Sequence, residues 1–328
     1  MFDIFRQNRQ RDGGQQFVTL SAANDEDGLF YFEADNAIGT ACLFAPMAGW
    51  DDKTGGALAT MMDTPLPGGT MMQFINIGSP YVDPTLDQCL QARDGVSGDE
   101  SVQTAQYAVL NRARFLRQGT RHKLIHSSNT RILESMCVFT LKVPLKVNAP
   151  FAGSTAEQKA FQAECAEFIK LRTAILAQLT VAGINAEIMR CGQLMGLLRR
   201  YFSMYESWDN GVDDDTPLNA QLFPPGSRGN WDSARHDLLH FSGFSYSGER
   251  QYAGLLVMDR YPGSDQPHHF SRMIRMLGNP PGNGPQIGMP YALTTTIHFP
   301  EQAAKAGAVR GSQGITESQA KPLMLKWS

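Results

Sequence analysis

The sequence predicts an α+β fold of two lobes, each with a mixed, mainly antiparallel sheet packed by helices. Strand-like and helical runs alternate irregularly along the 328 residues, and both hairpin-like and β–α–β steps occur. This order favours α+β lobes over a doubly wound parallel sheet, in which strands and helices alternate regularly. The length fits two domains, since a typical domain takes roughly 100–200 residues. We expect the lobes to meet near residues 145–155.

The first lobe is assigned to residues 15–148, after a polar, Gln- and Arg-rich tail at residues 1–14 that we expect to be mobile. Short apolar runs bounded by turn residues predict its strands. A polar helix is expected over residues 101–118 and a short helix over residues 51–62. The predicted strands are residues 17–20, 29–33, 38–45, 71–77 and 136–143.

The second lobe is assigned to residues 149–300 and begins with the most clearly predicted element, a helix over residues 157–182. Ser154 and Glu157 have the spacing of a capping box, in which each side chain accepts a hydrogen bond from the backbone of the other residue. Gly183 suits the left-handed conformation that often ends a helix. The remaining predicted elements are a strand at 184–189, a helix from about residue 193, and strands at 238–246, 251–261 and 292–299.

The composition indicates an ordinary globular protein of the cytoplasm. Hydrophobic residues make up 42% of the chain, and the five cysteines are widely spaced without a CxxC pair. An odd number of cysteines, most of them in apolar runs, is typical of reduced thiols rather than of a disulfide framework. The N-terminus lacks the apolar core of a signal peptide, and no stretch approaches the ~18 apolar residues of a membrane span. A net charge of −3 argues against broad electrostatic capture of nucleic acid.

An HDxxH segment is the one motif that suggests a metal-dependent hydrolase. His236 and His240 are spaced like the zinc ligands of an HExxH helix, but Asp237 replaces the glutamate that acts as general base. Aspartate is shorter, and the segment lies in an alternating, strand-like run. His268 or His269 would have to supply a third ligand, and nothing in their spacing requires it. A hydrolase using His236 and His240 is therefore the least favoured alternative.

Nucleotide and calcium sites find no support in the sequence. Residues 255–259 look like a Walker B strand ending in Asp259, but no GxxxxGK[ST] phosphate cradle occurs anywhere in the chain. The three aspartates at 213–215 lack the alternating oxygens and the terminal glutamate of a calcium loop. We therefore assign no catalytic, cofactor-binding or metal-binding residue.

A basic cluster on the predicted helix at 101–118 and just beyond it is the main candidate contact site. Arg114, Arg117 and Arg121 would lie along one face if the helix continues, and Lys123 follows. A solvated helix face is the ordinary explanation of such a cluster. The functional alternative is contact with anionic lipid or with a nucleic-acid backbone, through Arg114, Arg117, Arg121 and Lys123.

Several short motifs occur in an order that resembles a known family. They include a DGLF turn at residues 27–30, an NAIG strand start at 36–39 and an LPGG break at 66–69. Later matches cover residues 132–144, 184–189, 255–262 and 290–299. Together these segments resemble the TraC family, the large ATPases of F-type conjugative type IV secretion systems. The resemblance covers nearly the whole chain.

The resemblance implies a non-catalytic docking and oligomerisation module on the cytoplasmic face of the bacterial inner membrane. Its expected partners are inner-membrane components of the secretion system and further copies of the chain, with peripheral membrane association and no direct binding of nucleic acid. ATP and Mg²⁺ are expected only in a C-terminal P-loop domain, toward which residues 301–328 would form a linker. We therefore interpret the chain as an N-terminal fragment rather than as a homologue without a motor. The runner-up is a nucleic-acid-binding accessory protein of conjugation.

Overall fold

The computed structural model describes the chain in twelve segments: residues 18–46, 51–91, 100–124, 131–148, 154–202, 211–213, 216, 218–222, 228–231, 238–242, 251–254 and 290–300. The α-helices in these segments are α1 (Asp52–Met62), α2 (Asp83–Gln91), α3 (Glu100–Arg121), α4 (Thr155–Val181) and α5 (Cys191–Phe202). The strands are β1 (Leu20–Asn24), β2 (Leu29–Phe32), β3 (Ala37–Phe44), β4 (Met71–Ser79), β5 (Glu134–Pro144), β6 (Ala186–Ile188), β7 (Arg228–Trp231), β8 (Leu238–Ser242), β9 (Gln251–Gly254) and β10 (Tyr291–His298).

A seven-stranded sheet organises the described part of the chain. Its order is β1-β2-β3-β5-β4-β10, and β6 pairs with the end of β3 that β2 leaves uncovered. Every ladder between described strands is antiparallel, and β7-β8-β9 form a second, three-stranded sheet. Helices pack against the larger sheet, so the predicted α+β class is confirmed.

The larger sheet combines strands from both sides of the predicted lobe boundary. β10, assigned from sequence to the second lobe, pairs with β4 of the first lobe along its whole length. The register runs from Tyr291 opposite Gly78 to His298 opposite Met71 without interruption. Strands from both sides of the predicted boundary near residues 145–155 therefore belong to one sheet. The domain boundaries themselves stay a prediction.

Helix α4 begins and ends at the residues that its sequence indicates. The Ser154 side chain accepts a hydrogen bond from the backbone N–H of Glu157, and the Glu157 carboxylate accepts one from the backbone N–H of Ser154 at 2.6 Å. At the other end Gly183 has a φ of +83°, a conformation that glycine adopts without strain. The predicted capping box and the predicted glycine cap are both confirmed.

The sheet has apolar cover on both faces because its central strands alternate. Along β5, Phe139 and Leu141 are fully buried on the face covered by α1 and α4, whereas Val138 is buried on the face covered by α5 and a short 3-10 helix, Leu218–Gln221. Consecutive residues of one strand thus belong to two different hydrophobic clusters. The hydrophobic core therefore lies on both faces of the sheet.

The turn between β1 and β2 is held by two helices that come much later in the chain. The Asp25 carboxylate accepts a hydrogen bond from the backbone N–H of Cys191, at the start of α5, at 2.5 Å. The guanidinium of Arg172, in α4, donates to the backbone carbonyl oxygens of Asp27 and Gly28. Gly28 has a φ of +63°, and a Cβ there would overlap the side chain of Ile188 in β6. The glycine of the DGLF segment is therefore required by both conformation and space.

Some elements differ from the sequence-based expectation. β1 starts at Leu20, where the predicted strand at 17–20 ends. Helix α2 was not predicted, and none of its residues is buried. The segment at 209–232, predicted as a loop, contains the 3-10 helix and β7. The other helices and the strands β2 to β6 and β8 to β10 lie within a few residues of their predicted positions.

The ion pair of Asp35 and Lys142 makes the stability of the sheet depend on pH. Lys142 Nζ lies 2.5 Å from a carboxylate oxygen of Asp35 and 4.9 Å from the centre of the Phe32 ring. Burial alone would raise the pKa of Asp35, but the hydrogen bond and the positive charge of Lys142 outweigh it and lower the pKa below 3.8. A lowered carboxyl pKa stabilises the fold above the unfolded pKa, and this stabilisation is lost as the pH falls through the folded pKa.

We therefore expect Asp35→Asn to lower the free energy of unfolding by about 0.5 kcal/mol at pH 7, since the pair is partly exposed and screened by water. The difference between variant and wild type should shrink as the pH falls below 3.8, the unfolded value. Urea unfolding of both proteins between pH 7 and pH 3 measures it. An unchanged difference at pH 3 would contradict the electrostatic explanation.

Candidate functional site

Helix α3 is attached to α2 by one arginine. Arg117 Nε lies 2.5 Å from a carboxylate oxygen of Asp83, and the same guanidinium also pairs with Asp87. The hydrogen bond to Asp83 raises the pKa of Arg117 above its ordinary value, with Asp87 adding to the effect. Because two carboxylates of α2 hold this guanidinium, Arg117 joins two helices and has less capacity for an external anion.

One side of α3 faces the protein. Ala113, Gly119 and Thr120 are its buried residues. A Cβ at Gly119 would lie 2.6 Å from a methyl carbon of Leu124, and the carbonyl oxygen of Gly119 accepts a hydrogen bond from Ile132 N–H at 2.8 Å. The close approach at Gly119 and Thr120 fixes the rotation of the helix, so its opposite side faces outward.

The opposite side of α3 exposes three large apolar side chains. Tyr107 is 69% exposed, Phe115 54% and Leu110 41%. Tyr107 and Leu110 are three residues apart and share one side of the helix, whereas Phe115, eight residues after Tyr107, is turned about 80° from it around the axis. Isolated exposed apolar residues are common, but an aromatic cluster on one helix surface is typical of a contact site.

Arginines lie among these apolar side chains. Arg114 is four residues from Leu110 and seven from Tyr107, and Arg121 is seven from Arg114, which places both on the same side of the helix. Both are exposed, as are Arg112 and Lys123. None of these four cations forms a salt bridge with another residue that the structure describes. The only acidic residue of α3 is Glu100, at its start.

We refer to five of these residues as the α3 outer face: Tyr107, Leu110, Arg114, Phe115 and Arg121. The face combines aromatic rings with guanidinium groups, the residue types enriched in the cores of protein interfaces and on membrane-surface helices. Of the four predicted contact residues, Arg114 and Arg121 lie on this face, Lys123 lies just beyond the helix, and Arg117 points to α2. Sequence analysis did not single out Tyr107 or Leu110, although their spacing relative to Arg114 was visible.

The chain is similar to one known family of proteins. A family model described as TraC protein matches residues 18–328. The chain belongs to the TraC family. Membership places it in conjugative type IV secretion and confirms the resemblance on which the sequence analysis relied. A search of curated proteins gave no match.

The described part of this TraC-family chain shows no group of three or more His, Cys, Asp or Glu side chains arranged to hold a metal ion. His240 belongs to β8, whereas His236, His268, His269 and Asp259 lie outside the described residues. The described residues therefore do not show whether His236 and His240 lie together, and the hydrolase alternative stays untested.

Two thiols of the TraC-family chain, one buried and one partly buried, have raised pKa values. Burial raises the pKa of Cys42 to about 11, against the weaker opposing charge of Arg172. Burial also raises the pKa of Cys165 to about 11, and the carboxylates of Asp27 and Glu164 add to it. A thiol is nucleophilic as the thiolate, and both cysteines are mostly protonated near neutral pH.

Within the described residues of the TraC-family chain, no helix is long and apolar enough to cross a bilayer.

Proposed function

We propose that this chain is the docking and oligomerisation module of a conjugative type IV secretion ATPase, and that the α3 outer face docks it on the anionic inner-membrane surface. The supporting observation is that Arg114 and Arg121 form no salt bridge with a described residue and belong to the helix that exposes Tyr107 and Phe115. In this proposal ATP and Mg²⁺ bind in a P-loop domain outside the present sequence. The chain acts by contact with membrane and partner proteins.

Charge complementarity favours an anionic surface as the occupant of this face. A basic residue near an anionic membrane contributes about 1 kcal/mol of attraction. Arg114 and Arg121 on this face and Lys123 just beyond the helix supply three such charges in the described structure, and α3 carries only Glu100 against them. Tyr and Phe side chains add affinity by entering the boundary between headgroups and acyl chains.

Arg117 does not belong to this surface, although sequence spacing alone groups it with Arg114 and Arg121. Its charge is already compensated by Asp83 and Asp87. Reversing the charge of Arg117 would therefore weaken the contact between α2 and α3. A change in binding could then not be distinguished from a change in structure. The informative variants are confined to the two arginines of the α3 outer face, which form no salt bridge with a described residue.

Co-sedimentation with phospholipid vesicles tests the docking surface. Wild type is expected to bind vesicles containing phosphatidylglycerol more tightly than vesicles of phosphatidylcholine alone. Reversal of both charges, in Arg114→Glu/Arg121→Glu, should weaken binding to the anionic vesicles about 30-fold or more, since at least ~2 kcal/mol of attraction is removed. Binding should also weaken as the salt concentration rises.

A matched variant separates the surface from net charge. Lys53→Glu/Lys159→Glu reverses two exposed charges on α1 and α4 and should bind as wild type does. Equal loss in both double variants would show that only net charge matters and would contradict docking through α3. Retained binding in the arginine variant would contradict it as well. Single-stranded DNA that binds more tightly than the vesicles, and loses affinity with the same arginine changes, would instead favour the nucleic-acid-binding accessory role.

A further inference from the structure

The two edges of the seven-stranded sheet differ in how they are protected. β1 has five residues, its register with β2 is irregular between Leu20 and Ala22, and acidic residues follow it at positions 25 to 27. β10 has eight residues in regular register, with no Asp, Glu, Lys or Arg among them. Short length, bulges and charges are the means by which proteins prevent an edge strand from pairing with another chain. β1 is short and irregular in register and has charges directly after it, whereas β10 has none of the three features.

The backbone of β10 has a defined outward side. Phe299 directs both its N–H and its carbonyl oxygen toward the β4 side, donating to Thr70 at 2.9 Å and accepting from Gly69 at 2.8 Å. Backbone direction alternates along a strand, so odd-numbered residues of β10 bond to β4 and even-numbered residues face away. The outward residues are Ala292, Thr294, Thr296 and His298. None of them forms a backbone hydrogen bond on this outer side with another described residue.

The side chains of this segment are self-complementary around Thr295. An antiparallel copy centred on Thr295 would place Leu293 opposite Ile297 of the partner subunit, and Tyr291 opposite Phe299 of the partner subunit. These residues lie on the sheet face where Ile297 and Phe299 already pack against the main apolar cluster. Cross-strand apolar, aromatic and Thr–Thr pairs are the contacts that stabilise antiparallel strands.

We propose that a second copy of this chain pairs with β10 through its own β10, antiparallel about Thr295, so that two sheets become one continuous sheet. In this register all four outward residues of each copy enter hydrogen-bonded pairs, which gives about eight backbone bonds. A register centred on Thr294 is worse, because it places Pro290, which has no N–H, opposite His298 and leaves Leu293 opposite Thr295. The proposal rests on the oligomerisation part of the proposed function and names the strand responsible.

Opposite charges at the symmetry axis test both the dimer and its register. Wild type should sediment at twice the 36.1 kDa mass of the chain. Thr295→Lys and Thr295→Glu each place like charges directly opposite one another, which destabilises strand pairing, so each variant alone should be a monomer at concentrations where wild type is a dimer. An equimolar mixture of the two should recover the dimer, because Lys then faces Glu across the axis.

Thr173 provides the matched control, since it is an exposed residue of α4 far along the chain from β10. Thr173→Lys and Thr173→Glu should both remain dimeric. Three results would overturn the proposal: a monomeric wild type, Thr295 variants that stay dimeric, or a mixture that does not recover the dimer. Circular dichroism of each variant verifies that loss of the dimer is not loss of the fold.

Hydrogen exchange supplies a measurement that needs no variant. Amide protons of Ala292, Thr294, Thr296 and His298 should exchange more slowly as protein concentration rises, because dimerisation covers their outward side. Exchange that does not depend on concentration at these four positions would contradict the pairing. The Thr295 variants should still bind anionic vesicles through the α3 outer face, so failure of the dimer and failure of the docking surface are separate results.

Discussion

Phe139→Ala is expected to lower the free energy of unfolding by about 3–5 kcal/mol, the usual cost of removing a buried phenylalanine side chain. Phe139 is fully buried in β5, the strand between β3 and β4. Its ring centre is 5.1 Å from that of Phe74 on the neighbouring strand. The substitution would leave a cavity between the sheet and helix α4, which ordered strands on both sides cannot close. Urea unfolding followed by tryptophan fluorescence measures the change.

Phe115→Ala is the matched control, because the same atoms are removed from a side chain that is 54% exposed on α3. Its effect on unfolding should stay within about 0.5 kcal/mol, as for most surface substitutions. If the two variants lost comparable stability, β5 would not lie at the centre of the core. The comparison requires that both proteins unfold in one transition, which coincident fluorescence and circular dichroism curves establish.

Arg172→Ala is expected to cost about 3 kcal/mol, the second-largest change. Arg172 is only 7% exposed, and its guanidinium donates to the carbonyl oxygens of Asp27 and Gly28 in the turn between β1 and β2. Burial lowers the pKa of Arg172, with the charges of Cys42 and Asp27 opposing the effect. Alanine would remove the charged hydrogen bonds, leave the Asp27 carbonyl without this donor, and open space beneath the turn.

Two further variants separate these contributions. Arg172→Lys keeps a charged donor and most of the side-chain volume, and it should recover part of the lost stability. Arg190→Ala removes an exposed arginine and should change the free energy of unfolding by less than about 0.5 kcal/mol. Thermal and urea unfolding give the values. If Arg172→Ala were as stable as Arg190→Ala, the turn would not depend on helix α4.

Local features of the sequence predict those elements whose determinants lie within a few residues. The capping box of Ser154 and Glu157 and the cap at Gly183 locate α4, because both act on neighbouring backbone groups. Alternating apolar residues likewise locate β5 and β10. These determinants are short-range, and sequence reading recovers them.

Elements that depend on distant partners were not predicted. Helix α2 was not predicted from its sequence, and it buries none of its residues. Because α2 was not predicted, the ion pairs of Arg117 with Asp83 and Asp87 of that helix were not predicted either. These pairs distinguish Arg117 from Arg114 and Arg121. Helical spacing placed the arginines correctly on the helix, but it could not show which of them has a carboxylate nearby.

The pairing of β4 with β10 has a consequence for synthesis of the protein. Gln73 and Thr296, which are hydrogen-bonded across these strands, are 223 positions apart in the chain. At roughly 5–20 residues per second, a ribosome needs about 10–40 s to make the chain between them. During that interval β4 has emerged and its final neighbour does not yet exist. A newly made chain therefore leaves this edge of β4 unpaired over that period, and we expect rapid overproduction to yield insoluble material.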